Sequence, residues 1–234
     1  MPFGDLLETA VYNSSADSTP DVAFADVTAG NLIVSCVFVG DDTDVVPNGD
    51  LLQAVEASDA GQTDSLAIGY RVIVGGDGLT WGWTQDNADQ ACLINREFEG
   101  PWEASPLDVT DTTAFADDQG TMVAGPTATT AQNDELIIAA WSKRTRAIPQ
   151  TITLNSVSDS FINLLNEDNE PASASMKGVA TATKVLTATG TPQTTGTFNA
   201  ATFQRVGACM ATFKKQAAAG TAFPHHYYAQ QHGA

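Results

Sequence analysis

The stretch Leu66–Gly100 constrains the fold more than any other part of the chain. Ile68, Tyr70, Val72 and Val74 alternate with Gly69, Arg71 and Ile73, the period of two expected of a strand with distinct faces. Gly-Gly-Asp-Gly at 75–78 comes next, and glycines supply the positive φ angles that a tight turn requires. Trp81 and Trp83 then fall on one face of the following run, and a third run, Ala91–Phe98, stops at Glu99-Gly100-Pro101. Connections this short join antiparallel strands, because a parallel crossover consumes a dozen residues or more.

The same pattern recurs along the chain. Leu32, Val34, Cys36 and Phe38 share one face, and Ile33, Val37 and Val39 make the other face apolar too, so this strand is expected to be covered on both sides. Leu136–Trp141, Thr151–Val157, Lys177–Thr189 and Phe203–Phe213 read as further strands. Asp50–Ala57 and Ser160–Glu167 fit either a short helix or a bent strand, and two prolines between Gly100 and Asp108 argue against a regular internal strand there. The tally is roughly eight to ten strands. The expected fold is all-β: a single large antiparallel β-sandwich, jelly-roll-like, over residues 21–216. Residues 1–20 form an N-terminal arm or edge segment and 217–234 a C-terminal tail. Thr28-Ala-Gly-Asn-Leu-Ile-Val echoes Thr130-Ala-Gln-Asn-Asp-Glu-Leu-Ile-Ile. This reads as two sheets of one sandwich entering by similar corners, or as common turn chemistry, and not as two domains.

Charge narrows the partners. The chain of 234 residues has a net charge of -18, and its acidity is uneven. Residues 1–142 hold 24 acidic and 2 basic side chains, whereas residues 143–234 hold 4 and 8. An acidic exposed side and a near-neutral packed side would explain this, as would a solvated acidic face. Direct nucleic-acid binding is not expected, since a phosphate backbone calls for a basic footprint. No run approaches the roughly 20 apolar residues of a spanning helix, so no membrane insertion is expected, and no classical signal peptide is visible. Cys36, Cys92 and Cys209 lie in apolar runs and read as reduced core residues, with one disulfide left open as an alternative.

Candidates for chemistry are sparse. His225, His226 and His232 all fall in the last ten residues, and no Gly-x-Ser-x-Gly elbow occurs. Glu97 and Glu99 supply the carboxylate pair that glycoside hydrolysis needs, but a chain this acidic contains many such pairs. Asp41, Asp42 and Asp44 form an acidic loop that does not match the twelve-residue calcium loop. Trp81, Trp83, Trp102 and Trp141 are either stacking platforms for a sugar or packed framework, and framework is favoured. Lys143, Arg144 and Arg146 are the one basic cluster, suited to carboxylates of a neighbouring subunit or to an ordinary loop. No cofactor is expected.

One resemblance adds to this reading. Its marks are Thr28-Ala-Gly-Asn-Leu-Ile-Val, Ala67-Ile-Gly-Tyr-Arg-Val, Thr80-Trp-Gly-Trp and Cys92-Leu-Ile-Asn-Arg-Glu-Phe-Glu-Gly, then Ser105-Pro-Leu-Asp and Leu136-Ile-Ile-Ala-Ala-Trp. Together they resemble β-sandwich structural modules of tailed-bacteriophage virion proteins, whether tail, fibre or capsid-surface components. The resemblance transfers no catalytic residue. It implies a non-enzymatic virion component, made in the host cytoplasm and assembled in multiple copies with itself and other virion proteins. Such modules sometimes bind a host surface glycan. A carbohydrate- or receptor-binding module is the alternative, and an acidic glycan hydrolase ranks third.

Overall fold

The computed structural model describes residues 2–40, 44–59, 61, 64–145, 153–169, 176–199 and 204–217. Among them are sixteen strands and no helix. The first eight are β1 (Leu6–Asp17), β2 (Asp21–Ala23), β3 (Leu32–Gly40), β4 (Val45–Pro47), β5 (Leu52–Asp59), β6 (Asp64–Val72), β7 (Thr80–Gln85) and β8 (Asp89–Phe98). The next eight are β9 (Trp102–Asp117), β10 (Thr121–Ala124), β11 (Leu136–Thr145), β12 (Leu154–Val157), β13 (Ile162–Asn169), β14 (Lys177–Val185), β15 (Thr194–Phe198) and β16 (Gln204–Lys215).

The strands form four open sheets. Two have five strands, in the orders β1-β8-β3-β6-β5 and β13-β14-β11-β16-β9, and two have three, β2-β7-β4 and β10-β15-β12. The pairings are antiparallel. Adding eight to each strand number of the first large sheet yields the second read from its other end, and the small sheets repeat in the same way. Within each half the pairing is nested: β1 with β8, β2 with β7 and β3 with β6, then β9 with β16, β10 with β15 and β11 with β14.

Period-two alternation explains how the sheets stack. Leu32, Val34, Cys36 and Phe38 of β3 face Leu136, Ile138 and Ala140 of β11 in a central core between the large sheets. Ile33, Val37 and Val39 point the other way and pack under the first small sheet with Val45, Trp81 and Trp83. Ile137, Ala139 and Trp141 do the same on the far side, with Met122, Leu154 and Phe198. The layers therefore run three, five, five, three, and β3 and β11 are covered on both faces, as their doubly apolar sequences require.

Several expectations change. Four stacked sheets stand where one sandwich of two was expected. Sixteen strands replace eight to ten, in part because β2, β4, β10 and β12 have only three or four residues, too few to show a period in sequence. The residues at Asp50–Ala57 contribute β5, and those at Ser160–Glu167 contribute β13, entered through positive φ at Asp159, Ser160 and Asn163. Pro106 lies inside the sixteen-residue β9, and the reason is position: β9 is the edge of its sheet, with register shifts on either side of Leu107. Leu6–Asp17, within the expected arm or edge segment, is likewise an edge strand, paired with β8 in the other large sheet. The tail from 218 onward lies outside the described residues.

Candidate functional site

Strand position decides what the four tryptophans do. Trp83 is fully buried in β7; its Nε1 donates to Ser35 Oγ at 2.8 Å, and its ring lies where a Cβ on Gly69 would come within 2.9 Å. Trp141, equally buried in β11, donates to the Met122 carbonyl at 3.0 Å and packs against Gly196. Trp102 closes one end of the central core, with its ring 4.5 Å from that of Phe3 and its Nε1 3.3 Å from the Phe98 carbonyl. Trp81 joins Trp83 in the outer core, and both Trp81 and Trp102 are only 5% exposed. As sugar platforms these residues are corrected: inward-facing strand positions put the indoles into the cores.

The basic cluster separates by the same rule. Lys143 is buried and binds Asp168 and, at 3.0 Å, Asn166 Oδ1. Burial pushes its ammonium pKa down, and the Asp168 carboxylate opposes that shift. Arg144 Nη1 meets the fully buried Asp64 Oδ1 at 2.5 Å. Both residues thus pair with carboxylates of their own chain. Arg146 lies outside the described residues.

Lys143 and Asp168 belong to the same large sheet, whereas the Arg144–Asp64 pair belongs to a seam between the two large sheets. Arg205 of β16 binds Asp59 and Asp117 and stands 3.7 Å from Asp64. Lys177 of β14 is 3.3 Å from Asp89 of β8. Arg96 of β8 reaches across to the Asn163 carbonyl at 2.6 Å. Burial lowers the pKa of Arg205, and brings that of Arg96 to about 10. Lys143 and Arg144 stand out in the sequence as a basic cluster, whereas Asp59, Asp64, Asp89, Lys177 and Arg205 carry no local motif. The charge imbalance was the available signal: most cations lie in the second half, and three of them, Arg144, Lys177 and Arg205, meet acids of the first.

The seam also encloses three free thiols, Cys36, Cys92 and Cys209. Burial raises the Cys36 thiol to about 12 and the Cys209 thiol well above its ordinary value, so both are protonated at neutral pH and are poor nucleophiles. Glu97 accepts from the Thr28 N–H at 2.9 Å and from Asn31 Nδ2 at 2.7 Å, which ties it to a buried corner. Glu99 follows the end of β8 at Phe98. Asp41 and Asp42 lie outside the described residues; Asp44 is exposed, and among the described residues no His/Cys/Asp/Glu group is arranged to hold a metal. A cleft of about 560 Å³ runs between Gly4–Leu6 and the ends of β13 and β14, and another of about 520 Å³ borders Pro101, Gln132 and Lys215. Neither is lined by an aromatic ring.

No family model, curated protein or solved structure matches the chain.

Proposed function

We propose that this protein is a non-enzymatic structural component of a bacteriophage virion, assembled in multiple copies at the tail, fibre or capsid surface. The observation that carries the reading is the nested strand pairing in each half. A ribbon of eight strands rolled so that first meets last, second meets seventh and third meets sixth is a jelly roll, an arrangement common to viral capsid proteins and lectins. In this reading the finer fold is jelly-roll-like twice over. The support is an analogy of fold joined to the sequence resemblance, and function rests on sites rather than folds.

The disposition of side chains favours the capsid-type branch over the lectin branch. The four indoles are spent on packing and the cations of the seam on internal carboxylates. Among the described residues, exposed acidic side chains and scattered exposed apolar residues such as Val46, Leu52 and Ile162 remain outside. Partners are then further copies and other virion proteins. The chain is made in the host cytoplasm and ends in the particle.

Glycan arrays probed with the purified chain, run beside sedimentation with particles from the producing cells, test this. The reading expects co-sedimentation without a glycan signal. Saturable glycan binding by a chain that stays out of particles overturns it.

A further inference from the structure

The repeat of strand order extends to the register of single residues. Leu32 opens β3 opposite Val72 and Phe98, and Leu136 opens β11 opposite Val185 and Phe213. Leu6 on β1 stands opposite Phe98, and Leu107 on β9 opposite Phe213. Ala67 faces Val37 just as Ala180 faces Trp141. The sequence echo at Thr28 and Thr130 marks the entry to these two equivalent strands. Contacts between the halves obey the same exchange: β1 touches β13 while β9 touches β5, and β8 touches β14 while β16 touches β6. Such a pattern is that of an isologous, two-fold interface within one chain.

Buried features survive the exchange with their parts moved to other strands. Each outer core holds a fully buried indole packed against a strand glycine. In the first half it comes from the small sheet, Trp83 over Gly69; in the second it comes from the large sheet, Trp141 against Gly196. Trp83 and Gly196 occupy matching places, opposite Pro47 and Val157. Glu97 accepts from Asn31 in one half, and Glu135 is hydrogen-bonded by Thr212 in the other, at the matching positions with the acid on the other strand.

Charge behaves differently, because it inverts. Counting along the ladders from Leu32 and Leu136, Gly40 matches Arg144 and Asp64 matches Lys177. Arg144 meets Asp64 across the seam. Beside that pair, since Lys177 is the ladder partner of Arg144 and Gly40 that of Asp64, Lys177 lies over Gly40, where a Cβ would come 2.5 Å from its Cε. Two first halves facing one another would bury their Asp64 carboxylates with no cation opposite. Two second halves would set Lys177 against Arg144.

We infer that residues 1–100 and 101–217 are two copies of one eight-stranded unit, and that the seam is an interface whose charges fit each copy to its unlike twin and not to itself. The inference stands apart from the virion reading. Unlike charges permit the closed pair, and like charges placed in a dry interface oppose the alternatives.

The three seam thiols provide the test on the full-length chain. Their labelling by a thiol reagent under native conditions reports how often the seam opens. The wild type labels slowly. Asp64→Lys sets a cation against Arg144 and Arg205 and speeds labelling by about a hundredfold or more, since breaking one side of a buried ion pair shifts an opening equilibrium at least that far. Asp64→Asn speeds it less, and Asp64→Lys with Arg144→Asp returns it toward the wild-type rate. A chain made alike in both halves, Arg144→Gly with Lys177→Asp, opens as readily as Asp64→Lys. Should Asp64→Lys fail to accumulate, Lys177→Asp alone and combined with Asp89→Lys repeats the comparison at the neighbouring pair. Equal labelling for Asn and Lys at 64, or no recovery in either charge-exchanged pair, overturns the inference.

Discussion

Replacing Trp83 with alanine removes a fully buried indole from between two sheets and leaves Ser35 Oγ without its donor at 2.8 Å. Truncating a buried tryptophan costs about 3–5 kcal/mol, of which transfer from water is one part and the unfilled cavity another. The cavity part can be isolated. A Cβ on Gly69 would approach Trp83 Cζ2 to 2.9 Å and Leu51 Cδ2 to 3.0 Å, so Gly69→Ala in the native chain overpacks the site. Overpacking of this kind costs about 1–3 kcal/mol. In the Trp83→Ala background the same methyl enters the vacated space, and its cost falls to about zero or reverses. The two changes are therefore coupled by about 1–3 kcal/mol, with the double variant more stable than the sum of the singles implies. Urea denaturation of the four proteins, followed by far-ultraviolet circular dichroism, yields the cycle. A loss below about 1 kcal/mol for Trp83→Ala would refute the placement of the ring as framework. So would additivity of the two changes.

Four further outcomes follow from other parts of the molecule. Gly196→Ala destabilises by about 1–3 kcal/mol because its Cβ would lie 2.9 Å from Trp141 Nε1, and Trp141→Phe relieves part of that loss in thermal melts. Asp168→Ala costs about 2 kcal/mol by strand loosening around Lys143, less than the ~3–5 kcal/mol of a wholly buried pair because Asp168 is partly exposed; Lys143→Met restores most of it. The hydrogen-bonded Arg71 guanidinium holds the Asp77 carboxyl below its ordinary range. Its contribution is complete above the unfolded-state value of about 3.9 and is lost as pH falls through the lower folded-state value; Asp77→Asn therefore flattens the acid limb of a plot of melting temperature against pH. Burial raises the Glu135 carboxyl, so its ionised form weakens the fold as pH rises through the carboxylate range; Glu135→Gln removes that loss without lowering the melting temperature at neutral pH.

Legibility in the sequence tracked the physics of each element. β3, β6, β8 and β11 alternate strongly and are covered on both faces, so their places and facing residues were readable from period alone. β9 was hidden by Pro106 and its acids, which an edge strand accepts because one row of its backbone groups needs no ladder partner. The strands of the small sheets were too short to show a period. Trp81, Trp83 and Trp141 lie at buried strand positions, so packing was the readable role for them; Trp102 follows no alternation. The seam was not readable, because its ion pairs join residues far apart in sequence, such as Asp64 with Arg144 and Asp89 with Lys177. Only the unequal division of charge hinted at it. The echo of Thr28 in Thr130 was visible, but its meaning depended on sheet order, which two short similar corners do not determine.

Electron-microscopic imaging of particles recovered from the cells that make this chain tests the central claim most directly. The account predicts repeated density at the particle's tail, fibre or capsid surface that accommodates the four-layer body, with outer sheets about 30 Å apart at the usual spacing of about 10 Å between packed sheets. Particles that lack the chain, together with a purified protein that stays monomeric at every concentration, would contradict it.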